Sequence, residues 1–347
     1  MQYQSVMNSI KRGVISPIYL IYGEEEYLQE MIITDLKKAL VSSDIGLFNL
    51  DEVDGEKVNI TSIVDMANTL PAFAEKRLVI VKNAFFLSTS VKVAEKKNKS
   101  GEEERLLKYL ADPLLSTCLV FWQKGRVDKR KKIYKEIVSA GQTLEIETLK
   151  GVDLNTWIVE EAKEMGKKLE PQAIEYMVIN LGNKLRNIKS ELEKLAIYSG
   201  ENRNITFQMA KSLVTITTEG NIFNLVDKIG LRKYEEAFVE LVNLLKVGEP
   251  PVKILFMIAR QFRLILLAKD LSKRGYTEKQ IALELKSHPF VVKKILKQGR
   301  NFSFYELEKS LQLLLESDIG IKTGMSPRVS LENLIYNLTT FKMVQFN

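Results

Sequence analysis

Gly23-Glu24-Glu25-Glu26 follows a short apolar run, Ile18 to Tyr22, and opens onto a long amphipathic pattern, Glu25 to Val41. A strand, a glycine and a helix start are the parts of a phosphate-binding loop. In the pattern G-x-x-x-x-G-K-[ST] its amides and lysine hold phosphates and its hydroxyl reaches magnesium. The chain has no such match. Its one Gly-Lys pair, Gly166-Lys167, lies in a helical stretch, with Lys168 at the hydroxyl position and Glu161 at the first glycine. Three carboxylates at the mouth repel a triphosphate, by about 1 kcal/mol per like-charge contact at ~4 Å in water and several-fold more in a partly buried cleft. The same carboxylates suit a helix N-terminus through the macrodipole. The second nucleotide element, an apolar strand ending in acids that would hold magnesium, is also missing, because "RLVIV" runs into Lys82 and Asn83. Gly23, Glu24, Glu25, Glu26, Lys82 and Asn83 therefore mark a degenerate nucleotide site, or an α/β fold that never bound nucleotides; ATP hydrolysis is not expected.

Other chemistries are bounded by composition. One cysteine, Cys118, and one histidine, His288, leave too few ligands or nucleophiles for a zinc site, a disulfide or a Cys/His pair. Cys118 sits in the apolar run "STCLVFW" and reads as a small core side chain. His288 precedes Pro289 at a turn into a helix and reads as a cap or surface residue. No metal or cofactor is expected. A net charge of +7 over 347 residues favours acidic partners or nucleic acid. The N-terminus lacks a signal-peptide core and no stretch reaches the ~20 apolar residues of a membrane span, so a cytoplasmic protein is expected.

The elements that would position these residues fall into two regimes. Up to about residue 150, apolar runs at 18–22, 47–53, 77–83, 116–122 and 142–149 alternate with helical patterns at 25–41, 60–70, 102–111 and 129–140. That alternation predicts a mainly parallel sheet covered by helices, an α/β domain over 1–150. After Gly151 strand signals vanish, and helical patterns follow one another, separated by Gly-, Asn- and Pro-rich breaks. Thr277 with Gln280 and Ser303 with Glu306 have capping-box spacing. The charged segment Lys92 to Arg105 reads as a solvated loop.

Two segments are basic. Lys124 to Lys135 carries seven basic residues against Asp128 alone. Tyr276 to Arg300 carries six against two acids and resembles a helix-turn-helix in isolation, with Lys293, Lys294, Lys297 and Arg300 expected on the surface around Val291, Val292 and Ile295. The second helix lacks the Asn, Gln and Arg cluster that reads base edges, so phosphate contact suits it better than sequence recognition. A helix-turn-helix DNA-binding protein using residues 276–300 is the alternative reading.

The segments "YLIYGEEEYLQEM", "TLPAFAEKRLVIVKNA", "DKRKKIYKEI", "NLGNKLRNIKSELEKLAIYSG", "NIFNLVDKI", "ARQFRLILLAKDL", "HPFVVKKILKQGRNFS" and "LLESDIGIKTG" occur in an order and spacing similar to the delta-subunit family of bacterial DNA polymerase III. The resemblance implies an AAA+/RecA-like α/β domain without a functional phosphate loop at 1–150, a small all-α lid at 151–215 and an all-α collar at 216–347. It implies a clamp-loader subunit, part of the DNA polymerase holoenzyme with no catalysis of its own. Such a subunit binds the beta sliding clamp, opens one ring interface, and meets the tau/gamma and delta-prime subunits through its collar. The family's clamp-binding element maps onto Leu70, Pro71, Ala72 and Phe73, a short apolar group at a helix end. Pro71 disfavours helical geometry at Leu70, so the tip can present Phe73 to a groove; the other outcome is Phe73 folded into the domain's own core. The family places a bulky apolar residue where Ala72 stands, which leaves Leu70 to supply that contact. Clamp loaders enclose primer-template DNA, and Lys124, Arg126, Lys129, Arg130 and Lys131 either face it or form a solvated helix face. "NIFNLVDKI", "PPVKILFMIARQFRLIL" and Met325 are candidates for subunit or template contact.

Overall fold

The computed structural model describes residues 2–41, 45–88 and 101–340, and the chain divides into two compact units, Met1–Leu149 and Lys150–Asn347. In the first unit α1 (Gln2–Lys11), β1 (Ile18–Gly23), α2 (Glu26–Leu40), β2 (Leu50–Asp54), α3 (Ile60–Asn68), β3 (Arg77–Lys82), α4 (Glu102–Ala111), β4 (Thr117–Lys124), α5 (Lys132–Ala140) and β5 (Gln142–Ile146) follow in order. The five strands form one sheet in the order β2-β3-β4-β1-β5, every pair parallel. Ile18 to Tyr22 and Cys118 to Phe121 are buried throughout, as apolar strands in a parallel sheet covered on both faces must be. The expected α/β class is present. From β1 the chain crosses to the far edge at β2, whereas β4 leads to β5 on the other side of β1. The switch point of the sheet, where open α/β folds take their ligands, thus lies at the carboxyl ends of β1 and β4.

Several boundaries differ from expectation: the strand expected over 142–149 ends at Ile146 and the helix expected over 60–70 ends at Asn68. The run 47–53 is a 3-10 turn at Ile45–Asn49 followed by β2. The helix expected from Lys129 starts at Lys132, because the Asp128 carboxylate accepts the Arg130 N–H at 3.1 Å and shapes the preceding residues into a turn. Of the charged segment 92–105, residues 92–100 lie outside the described residues, and Glu102 to Arg105 form the first turn of α4.

The second unit consists of α6 (Gly151–Glu164), β6 (Lys168–Leu169), α7 (Pro171–Leu181), α8 (Leu185–Tyr198), β7 (Asn204–Ile205), α9 (Phe207–Leu213), α10 (Thr218–Gly230), α11 (Tyr234–Lys246), α12 (Pro251–Lys273), α13 (Glu278–Glu284), α14 (Pro289–Gly299), α15 (Phe304–Lys322) and α16 (Pro327–Thr340). The unit is helical apart from the two-residue strands β6 and β7, which pair in parallel. Both expected capping boxes are formed, Thr277 with Gln280 and Ser303 with Glu306. Residues 222–338 share one apolar core around Phe262 and Phe302, whose rings meet edge to face at 5.3 Å. Inside it Gln298 donates to the Phe223 carbonyl at 3.0 Å and to Asp227 Oδ1 at 2.7 Å, and accepts from Gln261 at 2.7 Å. Such a network is stable only when every member is satisfied, as these are. No helix among the described residues is long and apolar enough to cross a membrane.

His288 is buried and caps α14, its Nδ1 accepting the Phe290 N–H at 3.1 Å. Its Nε2 lies 2.9 Å from the Gly151 carbonyl and 3.0 Å from Asn155 Oδ1. These partners assign the neutral tautomer with its proton on Nε2. Burial lowers the imidazole's pKa below its ordinary 6.5, against the Gly151 hydrogen bond, which raises it. The unfolded chain therefore takes up a proton that the folded chain resists. The stability contributed is full above about pH 6.5 and falls as pH drops through the unfolded value toward the folded one. In calorimetry between pH 7.5 and 5.5, the native chain should lose more melting temperature than His288→Asn, which keeps a capping side chain; equal losses would assign the titration to another group.

Candidate functional site: an apolar fingertip and a filled crevice

Helix α3 ends because Pro71 cannot continue it: Thr69 already has extended geometry (φ −75°, ψ 125°), its N–H returning to the Met66 carbonyl at 3.2 Å. The next residues turn outward. Leu70 is 69% and Phe73 96% exposed, with Ala72 exposed and Pro71 half-buried between them. Phe73 has φ +55°, a left-handed conformation that a bulky residue rarely adopts and that costs about 1–3 kcal/mol. Exposure of its ring forgoes a further ~2–3 kcal/mol of burial. The Phe73 ring is thus outside the domain's core.

The tip is held from the side. Asn49 is fully buried; its Nδ2 donates to the Ala72 carbonyl at 2.7 Å and its Oδ1 accepts the Ala72 N–H at 2.6 Å. Beneath it Arg77 forks onto Asp51 Oδ2, at 2.9 Å from Nε and 2.5 Å from Nη2, and reaches the Phe48 carbonyl at 3.5 Å. The family resemblance points to Leu70–Phe73 and not to Asn49 or its exposed neighbours Leu47 (60%) and Phe48 (74%). The available signal is a polar asparagine that interrupts the apolar run 47–53, at the junction of the 3-10 turn and β2.

The crevice at the carboxyl ends of β1 and β4 is occupied by the chain itself. Gly23 has φ +130°, and a Cβ placed there would lie 2.2 Å from the Ile146 carbonyl oxygen. The same oxygen accepts the Glu25 N–H at 3.1 Å. Gln29, fully buried on α2, donates to the Gly23 carbonyl at 3.0 Å and accepts from Trp122 Nε1 at 2.9 Å. Of the three acids, Glu24 and Glu26 are exposed and Glu25 is buried. Burial raises the Glu25 pKa above the ordinary carboxylate value, opposed by the Tyr27 N–H it accepts as the cap of α2. Lys82 pairs with Glu52 and lies 5.1 Å from the Trp122 ring centroid. Asn83, at φ +51°, reaches Asp54 Oδ1 at 3.4 Å. Lys82, Trp122, Gln29 and Gly23 thus form one chain of contacts across the sheet, with Trp122 and Gln29 the members sequence reading overlooked. A phosphate would need the Glu25 amide, the α2 cap and this filled space together.

Most of the basic side chains at 124–131 have partners. Lys124 pairs with Glu26 at 2.7 Å, Lys129 with Glu145 at 2.7 Å, and Arg130 with Asp128 at 2.9 Å. Lys131 is tied to the Phe86 and Ser88 carbonyls at 2.9 and 3.0 Å. Arg126 is exposed. Exposed ion pairs are worth about 0–1 kcal/mol, so a phosphate can compete for Lys124 and Lys129, whereas Arg130 holds the Asp128 carboxylate through both Nε and Nη2, each at 2.9 Å, and Lys131 is a structural tie.

In the 276–300 segment the expected surface row is incomplete. Lys293, Lys297 and Arg300 are exposed, whereas Lys294 is mostly buried, 5.3 Å from the Phe223 ring centroid and 3.7 Å from Asp227. Burial lowers its pKa, partly offset by Asp227. Lys294 turns inward because α14 packs on α10 and α12. That packing also buries Gln298, the amide best suited to an adenine edge, in the polar network. The exposed three line a cleft of 1090 Å³ together with Lys211, Tyr176 and Tyr276. In "NIFNLVDKI" the apolar residues Ile222, Phe223, Leu225, Val226 and Ile229 are all buried; Val252, Phe256 and Leu267 of α12 are exposed, as is Met325.

Residues 19–147 match the family model "DNA polymerase III, delta subunit", and residues 219–338 match "DNA polymerase III delta subunit, C-terminal domain". The chain is 35% identical over 322 residues to DNA polymerase III subunit delta of Bacillus subtilis (strain 168), covering 92% of this chain and 91% of that protein. It is 25% identical over 262 residues to a probable DNA polymerase III subunit delta of Aquifex aeolicus, covering 74% and 72% of the two chains. The solved Bacillus subtilis DNA clamp loader delta protein superposes with a TM-score of 0.69 at 33% identity, over 98% of this chain and all of that one. With two family models matched in order and similarity running nearly end to end, the chain belongs to the DNA polymerase III clamp-loader delta-subunit family.

Proposed function

We propose that this chain docks the Leu70–Phe73 fingertip into an apolar groove of the ring-shaped beta sliding clamp and holds one ring interface open, so that the clamp can be placed on primed DNA. The observation that carries this reading is Phe73, 96% exposed in a strained conformation on a braced tip. A side chain so placed stabilises nothing within its own chain, which favours a role toward a partner. Opening a ring needs no chemistry from this subunit: it need only bind the open clamp better than the closed one, and the ring's own strain supplies the motion. ATP hydrolysis is assigned to neighbouring subunits, in keeping with the filled crevice. We assign residues 151–215 to a lid and 216–347 to a collar that meets the tau/gamma and delta-prime subunits, with Val252 and Phe256 as candidate contacts. Primer-template DNA is proposed to meet Arg126 and the competing lysines beside it without reading sequence, and the work is placed in the cytoplasm.

The test is to mix the purified chain with its organism's sliding clamp, without ATP, and follow both co-elution and release of the ring from circular DNA. Co-elution and release are expected. A chain that binds no clamp, or does so only with magnesium-ATP, overturns the reading.

A further inference from the structure

We infer that the clamp-docking surface has a second half, Leu47 and Phe48 on the 3-10 turn before β2, and that Asn49 is the positioning residue joining the two halves. The inference rests on the proposed clamp reading and deepens it. Leu70 and Phe73 present too little area alone: one aromatic side chain buries about 150–250 Å², against roughly 800 Å² per partner in a standard stable interface. The large apolar side chains exposed beside them come from the turn that Asn49 ties to the tip. Leu47 and Phe48 are 60% and 74% exposed, and the next residue's side chain bonds both backbone groups of Ala72, directly before Phe73.

Asn49 does for this tip what a neighbouring strand does elsewhere. Ala72 lies outside the sheet, and its N–H and C=O would otherwise need water or a turn partner. The Asn49 amide satisfies both, fixing the peptide that leads into the φ +55° residue. A partner thus meets a preset Phe73 instead of ordering a mobile loop, and preorganisation of this kind raises affinity without adding contact. Continuity with the Phe73 contact commits Leu47 and Phe48 to the same occupant, the clamp.

The test is clamp titration of Phe73→Ala, Phe48→Ala, Asn49→Ala, Phe73→Leu and the double variant Asn49→Ala/Phe73→Leu, each with a thermal melt and hydrogen exchange at residues 70–75. Phe48→Ala is expected to weaken binding about tenfold, equivalent to about 1.4 kcal/mol, with an unchanged melt. Asn49→Ala should weaken it about as much while speeding amide exchange at Ala72. The Asn49→Ala loss should shrink in the Phe73→Leu background, because Asn49 acts through Phe73. If Phe73→Ala leaves affinity unchanged, the clamp reading itself fails. If Phe73→Ala abolishes binding while Phe48→Ala and Asn49→Ala stay within twofold, only this inference fails. Fully additive losses would reduce Asn49 to a fold stabiliser, and a Phe48→Ala effect on self-association alone would make the occupant a second copy; either overturns the proposal.

Discussion

Phe73→Ala is expected to abolish measurable clamp binding while leaving circular dichroism and thermal stability essentially unchanged. The two halves of that expectation come from one fact: the ring is 96% exposed. Removing it takes no packing from the core, so the usual cavity cost of several kcal/mol for a buried Phe does not apply. In a partner groove the same ring is worth about 2–3 kcal/mol of apolar transfer, or roughly 30- to 150-fold in affinity. The loss reaches further if Phe73 is a hot spot whose removal leaves its pocket wet. Phe73→Gly sharpens the comparison, because glycine accepts φ +55° without strain. That variant should melt slightly higher than the native chain and still fail to bind. A titration in which either variant keeps native affinity would remove Phe73 from the interface.

The α/β sheet was legible because parallel strands buried on both faces appear as uninterrupted apolar runs, and Ile18 to Tyr22 or Cys118 to Phe121 have little else they can be. The helix starts at Thr277 and Ser303 were legible for a similar reason, since capping boxes are local in sequence. Asn49 was not, because its partner Ala72 is 23 residues away and nothing in "LFNLDEV" announces a side chain that will substitute for a strand. Trp122 and Gln29 escaped in the same way. Trp122 looked like the end of an apolar strand and Gln29 like one polar position on a helix, and only the sheet order brings them together over Gly23. Lys294 was misplaced because helical spacing alone does not say which side of α14 meets α10, and Asp227 lies on that side.

Gly23→Ala is expected to cost roughly 3 kcal/mol or more, and the reason separates this glycine from those of phosphate loops. At φ +130° any side chain is strained by about 1–3 kcal/mol. The added Cβ would also sit 2.2 Å from a backbone oxygen, Ile146, that no rotamer change can move aside. The strand end must shift, and with it the Glu25 N–H bond to Ile146 and the Gly23 carbonyl that accepts from Gln29 and from the Gly125 N–H. For a unit of this size each kcal/mol lowers the melting temperature by about 2–4 °C, so a fall of roughly 6–12 °C should appear in a calorimetric scan. Clamp affinity, measured on the fraction still folded, should hold. The fingertip precedes β3 and Asn49 precedes β2, at the amino edge of the parallel sheet, whereas Gly23 ends β1 at the carboxyl edge, about 20 Å away along six-residue strands. A Gly23→Ala chain that melts like the native one would mean the junction has room to spare, as a vacated phosphate loop has. A chain that melts early yet binds the clamp normally would mean that the glycine is retained as the point where β1 and β5 touch.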